Sequence, residues 1–339
     1  MRLGRDASPY HMRLGRDASP YHADASPYHA SMFSSRHNGT IIASLVFAVF
    51  LWGGNNTGVK FLVNSWPPIW VGSTRFLCAG LLLFAILRWT NWMGAASPVS
   101  QNLKMQLWLR GGLSLAVYIV VFNWALQFTA ASHVALYLGA SPVWALLWEG
   151  RGETRANTAK RYAAAALALV GVLVLFWPVL KNSSGSFTGE FLGLSASVLW
   201  TIYGRQCRLL GAHLSGAEIT AHTIWRAGVL LFPLAMLELA LRKGIIWRTD
   251  LVLVQVYCIV AGGVVAFALW TNALRHWKTS EVYLFNNLIP LSTMCWAHFC
   301  LGESVTPTFW LAMALIVSGV LIGQANWQKM FNGRWLPTE

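Results

Sequence analysis

An all-α integral membrane protein of ten transmembrane helices, arranged as two five-helix inverted repeats, is what this sequence predicts, and three observations carry the prediction. Hydrophobic residues make up 56% of the 339-residue chain and charged residues only 11%, against about 25% charged in a soluble domain. Apolar runs of roughly 20 residues recur along it, each able to cross the hydrocarbon core as a helix that satisfies its own backbone hydrogen bonds. The chain also repeats itself: ALQFTAASHVALYLGASP, from Ala125 to Pro142, returns as ALRHWKTSEVYLFNNLIP from Ala273 to Pro290, 148 residues later. The same offset pairs Leu51-Trp52 with Leu199-Trp200, Lys60 with Arg208, Phe122 with Trp270, Ser132 with Ser280, and Gly171-Val172-Leu173 with Gly319-Val320-Leu321. Any two membrane spans share aliphatics, but Trp, Pro, Gly and basic residues falling in register mark an internal duplication.

Residues 1–31 hold MRLGRDASPYH twice in tandem and DASPYH a third time, which reads as an expression tag or linker outside the fold. Spans are expected near 40–64, 68–88, 106–128, 132–149 and 158–180 in a first repeat (32–180). A second repeat (181–328) holds spans near 188–209, 217–241, 251–275, 279–301 and 305–327, and 329–339 is a cytoplasmic tail. The turns at 64–68 and 129–132 are too short to hold a soluble domain. Pro142, Pro233 and Pro290 fall inside spans, where each removes a backbone donor and predicts a kink, the first and last as a repeat-related pair.

Orientation follows from the basic residues. With the amino end inside, thirteen lysines and arginines, Arg88, Arg151 and Arg275 among them, fall on the cytoplasmic face. Five (Lys60, Lys181, Arg242, Lys243 and Arg248) fall outside. That bias places both termini in the cytoplasm of a bacterial inner membrane protein. Five helices per repeat is an odd number, so the second copy enters the bilayer upside down. Inverted repeats of this kind build alternating-access carriers, whose substrate site lies near the midplane where the repeats meet. The net charge of +13 comes partly from four arginines of the tag and otherwise from this scattered bias, so no nucleic-acid partner is expected. The five cysteines show no CxxC or Cys/His clustering, and neither metal, disulfide nor cofactor is expected. Gly111-Gly112 and Gly262-Gly263 lie within apolar spans with no phosphate loop or nucleophile motif around them, so an enzyme is not expected.

The candidate solute site is read from mid-span polar and aromatic residues. Eleven of the nineteen tryptophans lie near span ends, as an interfacial belt requires, but Trp52, Trp144 and Trp200 do not. Trp52, Asn55 and Asn56 fall at i, i+3 and i+4 and share one face of the first helix. Tyr137, Ser141, Trp144 and Trp148 form a stripe on the fourth. Tyr118 on the third span, Trp200 and Tyr203 on the sixth, Trp270 on the eighth and Asn286 on the ninth complete an aromatic, amide-lined cavity. The competing reading is helix packing with amides as interhelical glue. No carboxylate is expected at mid-span, which counts against a carrier of purely cationic solutes. Arg75 and Arg226 are expected to snorkel or pair, and His133 to be a plain polar residue at a helix end.

Leu51-Trp52-Gly53, Arg75-Phe76, the stretch from Ser132 to Pro142, and Leu301-Gly302-Glu303 followed by Gly319-Val320-Leu321 together resemble the EamA-type branch of the drug/metabolite transporter superfamily. The resemblance covers roughly residues 40 to 326 and implies a ten-helix bundle of inverted repeats exporting small metabolites such as amino acids. One departure stands out. Pro290 precedes Gly302-Glu303 by twelve residues, whereas Pro142 precedes Gly152-Glu153 by only ten. The expected function is therefore a secondary carrier of a small organic solute, acting in the bilayer as a monomer or weak dimer. A carrier of quaternary ammonium cations held by cation–π contacts, and a non-transporting accessory protein of a lipid-modifying system, are the alternatives.

Overall fold

The computed structural model describes residues 27–90, 98–141, 144, 155–182, 186–211, 213–241, 245–276 and 284–324. Most of the expected tag, the tail, Pro142, Trp148, Glu149, Glu153 and Glu281 lie outside the described residues. The chain divides into two compact units, Met1–Ile41 and Ile42–Glu339. In the first, the described residues are the opening turns of α1 (Pro27–Val63). The second is a helical bundle.

Local sequence accounts for where the bundle's helices begin and end. α2 (Pro68–Trp89) opens on a proline, whose missing N–H would have had no partner there. α3 starts as Gln101–Gln106, with Ser100 Oγ accepting from Leu103 N, passes through a π-helical turn at Leu107–Gly112 and continues as Leu113–Phe128. α4 is Ala131–Gly139 and α5 is Arg155–Asn182. α6 (Phe187–Leu210) is capped by Ser186, which accepts from Gly189 N. α7 (Gly216–Leu241) follows a capping box. There Glu218 accepts from Ser215 N at 2.8 Å while Ser215 Oγ accepts from Glu218 N at 3.3 Å. α8 runs Thr249–Tyr257, a π-helical turn at Cys258–Val265, then Ala266–His276. A 3-10 turn at Leu284–Leu288 leads into α9 (Ile289–Leu301), which ends at Gly302 with φ 67°, and α10 is Pro307–Gln324.

Two prolines behave differently from one another. Pro233 sits inside α7, as expected. Pro290 does not kink a continuous span: it lies in the first turn of α9, where the preceding 3-10 turn has already broken the helix and the lost donor costs little.

The fold is that of an all-α membrane protein with a duplicated repeat. Among the described residues, α1 from Gly39, α2, α3, α7 and α8 as far as Trp270 are long and apolar enough to cross a bilayer. Phe47, Leu81, Leu113, Leu237 and Leu253 stand exposed on helix faces, a cost in water but none against lipid tails. The helices pair as α2 with α7, α5 with α10, α4 with α9, and α3 with α6, so the first three of these pairings join an element to its own counterpart in the other half. Glycines set the distance of closest approach. A Cβ on Gly80 would lie 2.3 Å from Trp225 N, and one on Gly228 would lie 2.5 Å from Leu77 N. Those two glycines are 148 residues apart, so α2 and α7 cross at equivalent points. Gly171 and Gly319 repeat the device in α5 and α10: their Cβ positions fall 2.9 Å from Ala312 O and 2.6 Å from Ala164 O, and the two alanines are again 148 apart.

Candidate solute cavity

A cavity with about 840 Å³ of empty space, open solvent at its mouth included, lies between the repeats. The first repeat contributes Trp52, Asn55, Asn56, Arg75, Phe76, Tyr118 and Phe122 to the lining, and the second contributes Trp200, Gly262, Gly263, Phe267 and Asn286. Its walls combine aromatic rings with aliphatic side chains, its polar side chains include amides, one guanidinium and the Tyr118 hydroxyl, and among the described residues it holds no carboxylate.

Each polar group is positioned by a break in regular helix or by a close approach. The π-helical turn of α8 leaves a carbonyl outside the ordinary ladder, and Trp52 Nε1 donates to one there, Gly262 O, at 3.1 Å. The Trp52 ring packs on Trp270 and Phe267, with centroids 4.9 Å and 5.2 Å away. Asn55 crosses α8 where Gly262 has no side chain; a Cβ there would stand 2.4 Å from Asn55 Oδ1. That Oδ1 accepts from Arg75 Nη1 at 3.2 Å. Asn56 Nδ2 donates to Thr293 Oγ1 on α9 at 3.1 Å. Asn286 is in the 3-10 turn that breaks the ninth span. Trp200 packs against Tyr118, centroids 5.1 Å apart, and Tyr118 stacks on Phe122.

The structure brings Trp52, Asn55, Asn56, Tyr118, Trp200 and Asn286 to the cavity and directs the other expected residues elsewhere. Tyr137 is fully buried and donates to Glu190 Oε2 at 2.5 Å. Ser141 donates to Leu138 O, and Trp144 Nε1 donates to Ser197 Oγ at 2.9 Å. Tyr203 is 2.9 Å from Thr223 Oγ1, and Trp270 stands behind Trp52. The stripe on the fourth span thus makes side-chain contacts with α6.

Two residues gain importance over their sequence reading. Arg75 is 4% exposed and lines the cavity, so it does not snorkel, and among the described residues it pairs with no carboxylate. Arg226 donates to His222 O at 2.8 Å with its Cζ 4.3 Å from the Trp225 ring centroid, and its buried Nε has no hydrogen-bond partner among the described residues. The other residue, Glu190, escapes a reading of the sequence because a carboxylate in a first helical turn looks like a partner of the helix dipole. Its oxygens receive Thr129 Oγ1 and Tyr137 OH and lie 2.8 Å from His133 Nδ1. A signal is present, since His133 and Tyr137 are four apart on one face of α4 and Thr129 lies in the short link just before that helix. Among the described residues, Glu190 is one of three carboxylates of the second repeat that hold the first. Glu303 accepts from Ala131 N at 2.8 Å and Ser132 Oγ at 2.8 Å, and Glu238 accepts from Ile69 N at 2.8 Å and Trp70 N at 3.2 Å. All three join helix ends on the same side of the bundle.

Comparisons with known proteins give the same architecture. The EamA-like transporter family matches the chain twice, over residues 39–177 and 187–323. An uncharacterized transporter of Archaeoglobus fulgidus is 26% identical over 83% of this chain and 96% of its own length. A probable amino-acid metabolite efflux pump of Escherichia coli is 25% identical over 89% of this chain and 97% of its own. An uncharacterized inner membrane transporter of Escherichia coli, YedA, is 25% identical over 82% and 88%. A solved crystal structure shares the fold at a TM-score of 0.56 and 18% identity, covering 82% of this chain and 94% of that one.

Proposed function

Since the chain belongs to the EamA-like transporter family, and is on that ground a membrane transporter, we propose that it exports a small amphipathic metabolite, an amino acid or similar neutral solute, by alternating access. The observation that carries this reading is the cavity itself: set between two repeats, walled by Trp52, Tyr118, Phe122 and Trp200, and supplied with amides from Asn55, Asn56 and Asn286. Such a lining receives an apolar body on rings and orients a polar head by hydrogen bonds. The Escherichia coli relative named as a probable amino-acid metabolite efflux pump supports the solute class and the direction. The repeats are residues 32–180 and 181–328, and the carrier acts as a monomer or weak dimer in the inner membrane with both termini cytoplasmic. The end tied by Glu190, Glu238 and Glu303 then faces outward, and the end bearing Arg88, Lys104, Arg205 and Arg208 faces the cytoplasm.

Flux tests the reading directly. Proteoliposomes containing this chain alone should show counterflow of at least one L-amino acid from a panel. No flux of any amino acid from protein that is folded would sink the proposal and leave the accessory-protein alternative standing. The quaternary ammonium reading is disfavoured by the guanidinium in the cavity wall, and competition by choline stronger than by amino acids would reverse that judgement. Single cysteines at Ile246 and Ser100 should label from the outer and inner faces respectively, and the opposite pattern would invert the topology.

A further inference from the structure

We infer that Arg75 is the anchor for a carboxylate on the carried solute, so that the substrates are small monocarboxylates with an apolar body, amino acids included. The inference rests on the carrier reading above and narrows its substrate class. Arg75 lies in α2 with its side chain buried, where a charge without a counter-ion is unfavourable and is tolerated mainly in a functional site. Its hydrogen bond goes to a neutral acceptor, Asn55 Oδ1, and no described carboxylate forms an ion pair with it. Arg226, equally buried, differs in place: its Nη1 contacts His222 on its own helix, its guanidinium lies against the Trp225 ring, its Nε is left without a hydrogen-bond partner among the described residues, and it does not line the cavity.

The geometry is that of a prepared anion site. A guanidinium has five N–H donors in a planar fork matched to a carboxylate, and Asn55 engages only one edge of it. Asn55 is itself pinned by the close passage of Gly262, and the Phe76 ring lies 4.8 Å from the guanidinium carbon. The fork is therefore held in place before a solute arrives, which reduces the ordering cost of binding. Trp52 and Trp200 stand in the same wall to receive the apolar part. One cation with no carboxylate beside it selects a single negative charge, accepts a zwitterion and repels a lone cation.

Matched probes test this on the purified full chain. L-leucine, L-threonine and L-phenylalanine are each compared with their amides, which keep shape and ammonium but lack the carboxylate. At least one acid should raise the melting temperature while its amide does not, and Arg75→Gln should weaken that acid by about tenfold or more, with Arg75→Lys restoring part of it. An amide that stabilises as well as its acid, or an Arg75→Gln protein that binds the acid unchanged, overturns the anchor. Asn55→Asp supplies a second test whose expected outcome a misfolded variant cannot mimic. A carboxylate placed against Arg75 should raise the melting temperature of the ligand-free protein and abolish the acid-induced shift, and a lower melting temperature with the shift retained overturns the inference. Carboxylate-selective binding without flux in proteoliposomes would remove the carrier reading and leave Arg75 as an anion site, whereas equal flux of acid and amide would do the reverse.

Discussion

The two repeats place different chemistry at the same two positions. In the first, Asn55 meets Arg75 at the cavity wall; 148 residues later the same pair of positions holds Tyr203 and Thr223, also in contact but neutral and turned away from the lining. The glycines at the α2–α7 and α5–α10 crossings, by contrast, are the same in both halves. The difference separates two kinds of constraint. A helix crossing that joins an element to its own counterpart must satisfy both copies at once, because a side chain that wedges one backbone apart wedges the other. A binding group is needed only once, so its equivalent is free to become a packing contact. The carboxylates follow the second pattern: Glu190, Glu238 and Glu303 all reach from the second repeat to the first.

The strongest way to break this comparison is at the crossing. Gly80→Leu and Gly228→Leu should each destabilise by about 3 kcal/mol, since the new side chain meets backbone rather than a movable side-chain tip. Melting curves should show nearly equal losses, and a loss at only one site would mean that the crossing is not symmetric. Next in size is the comparison between Arg75→Gln and Thr223→Val. The first should reduce amino-acid transport by about tenfold, or about 1.4 kcal/mol, with little change in melting. The second should remove one interhelical hydrogen bond, about 0.6 kcal/mol, and leave transport intact. Transport losses of equal size would show that the Tyr203–Thr223 position serves the solute as much as the Asn55–Arg75 position does.

Smaller effects sharpen the account. Trp52→Phe keeps a ring in the cavity wall and removes the hydrogen bond to Gly262 O, so thermal unfolding should register roughly 0.6 kcal/mol while an apolar solute body still binds. A large loss of affinity instead would mean that the indole N–H itself serves the solute. Glu303→Gln should cost about 0.5 kcal/mol, because it weakens a charge held at the amino end of α4 while keeping an acceptor there. An unchanged melting temperature would show that the charge at that end is immaterial.

Sequence reasoning reaches the cavity face of α1 because 3.6-residue periodicity is a local property: Trp52, Asn55 and Asn56 cannot avoid sharing a side. It assigns Tyr137 and Trp144 to a solute stripe by the same logic. Periodicity names a shared face, however, without naming what that face meets, and here the face meets α6. The break before α9 is equally hidden. Pro290 announces that a helix cannot pass through unaltered, but a kink and a new start obey the same local rule.

What the sequence by itself determined is the class and the symmetry. Apolar run lengths demand membrane helices, since a helix satisfies its own backbone in hydrocarbon, and a fixed 148-residue offset demands two copies of one unit. What only the tertiary structure decided is which buried polar groups are satisfied and which are left to face a cavity. Arg75 and Arg226 look alike along the chain, as do Glu190 and any acidic residue in a first turn. Their roles part because hydrogen-bond satisfaction depends on elements distant in sequence: Asn55 and Gly262 fix Arg75 in the cavity wall, while Thr129, His133 and Tyr137 surround Glu190.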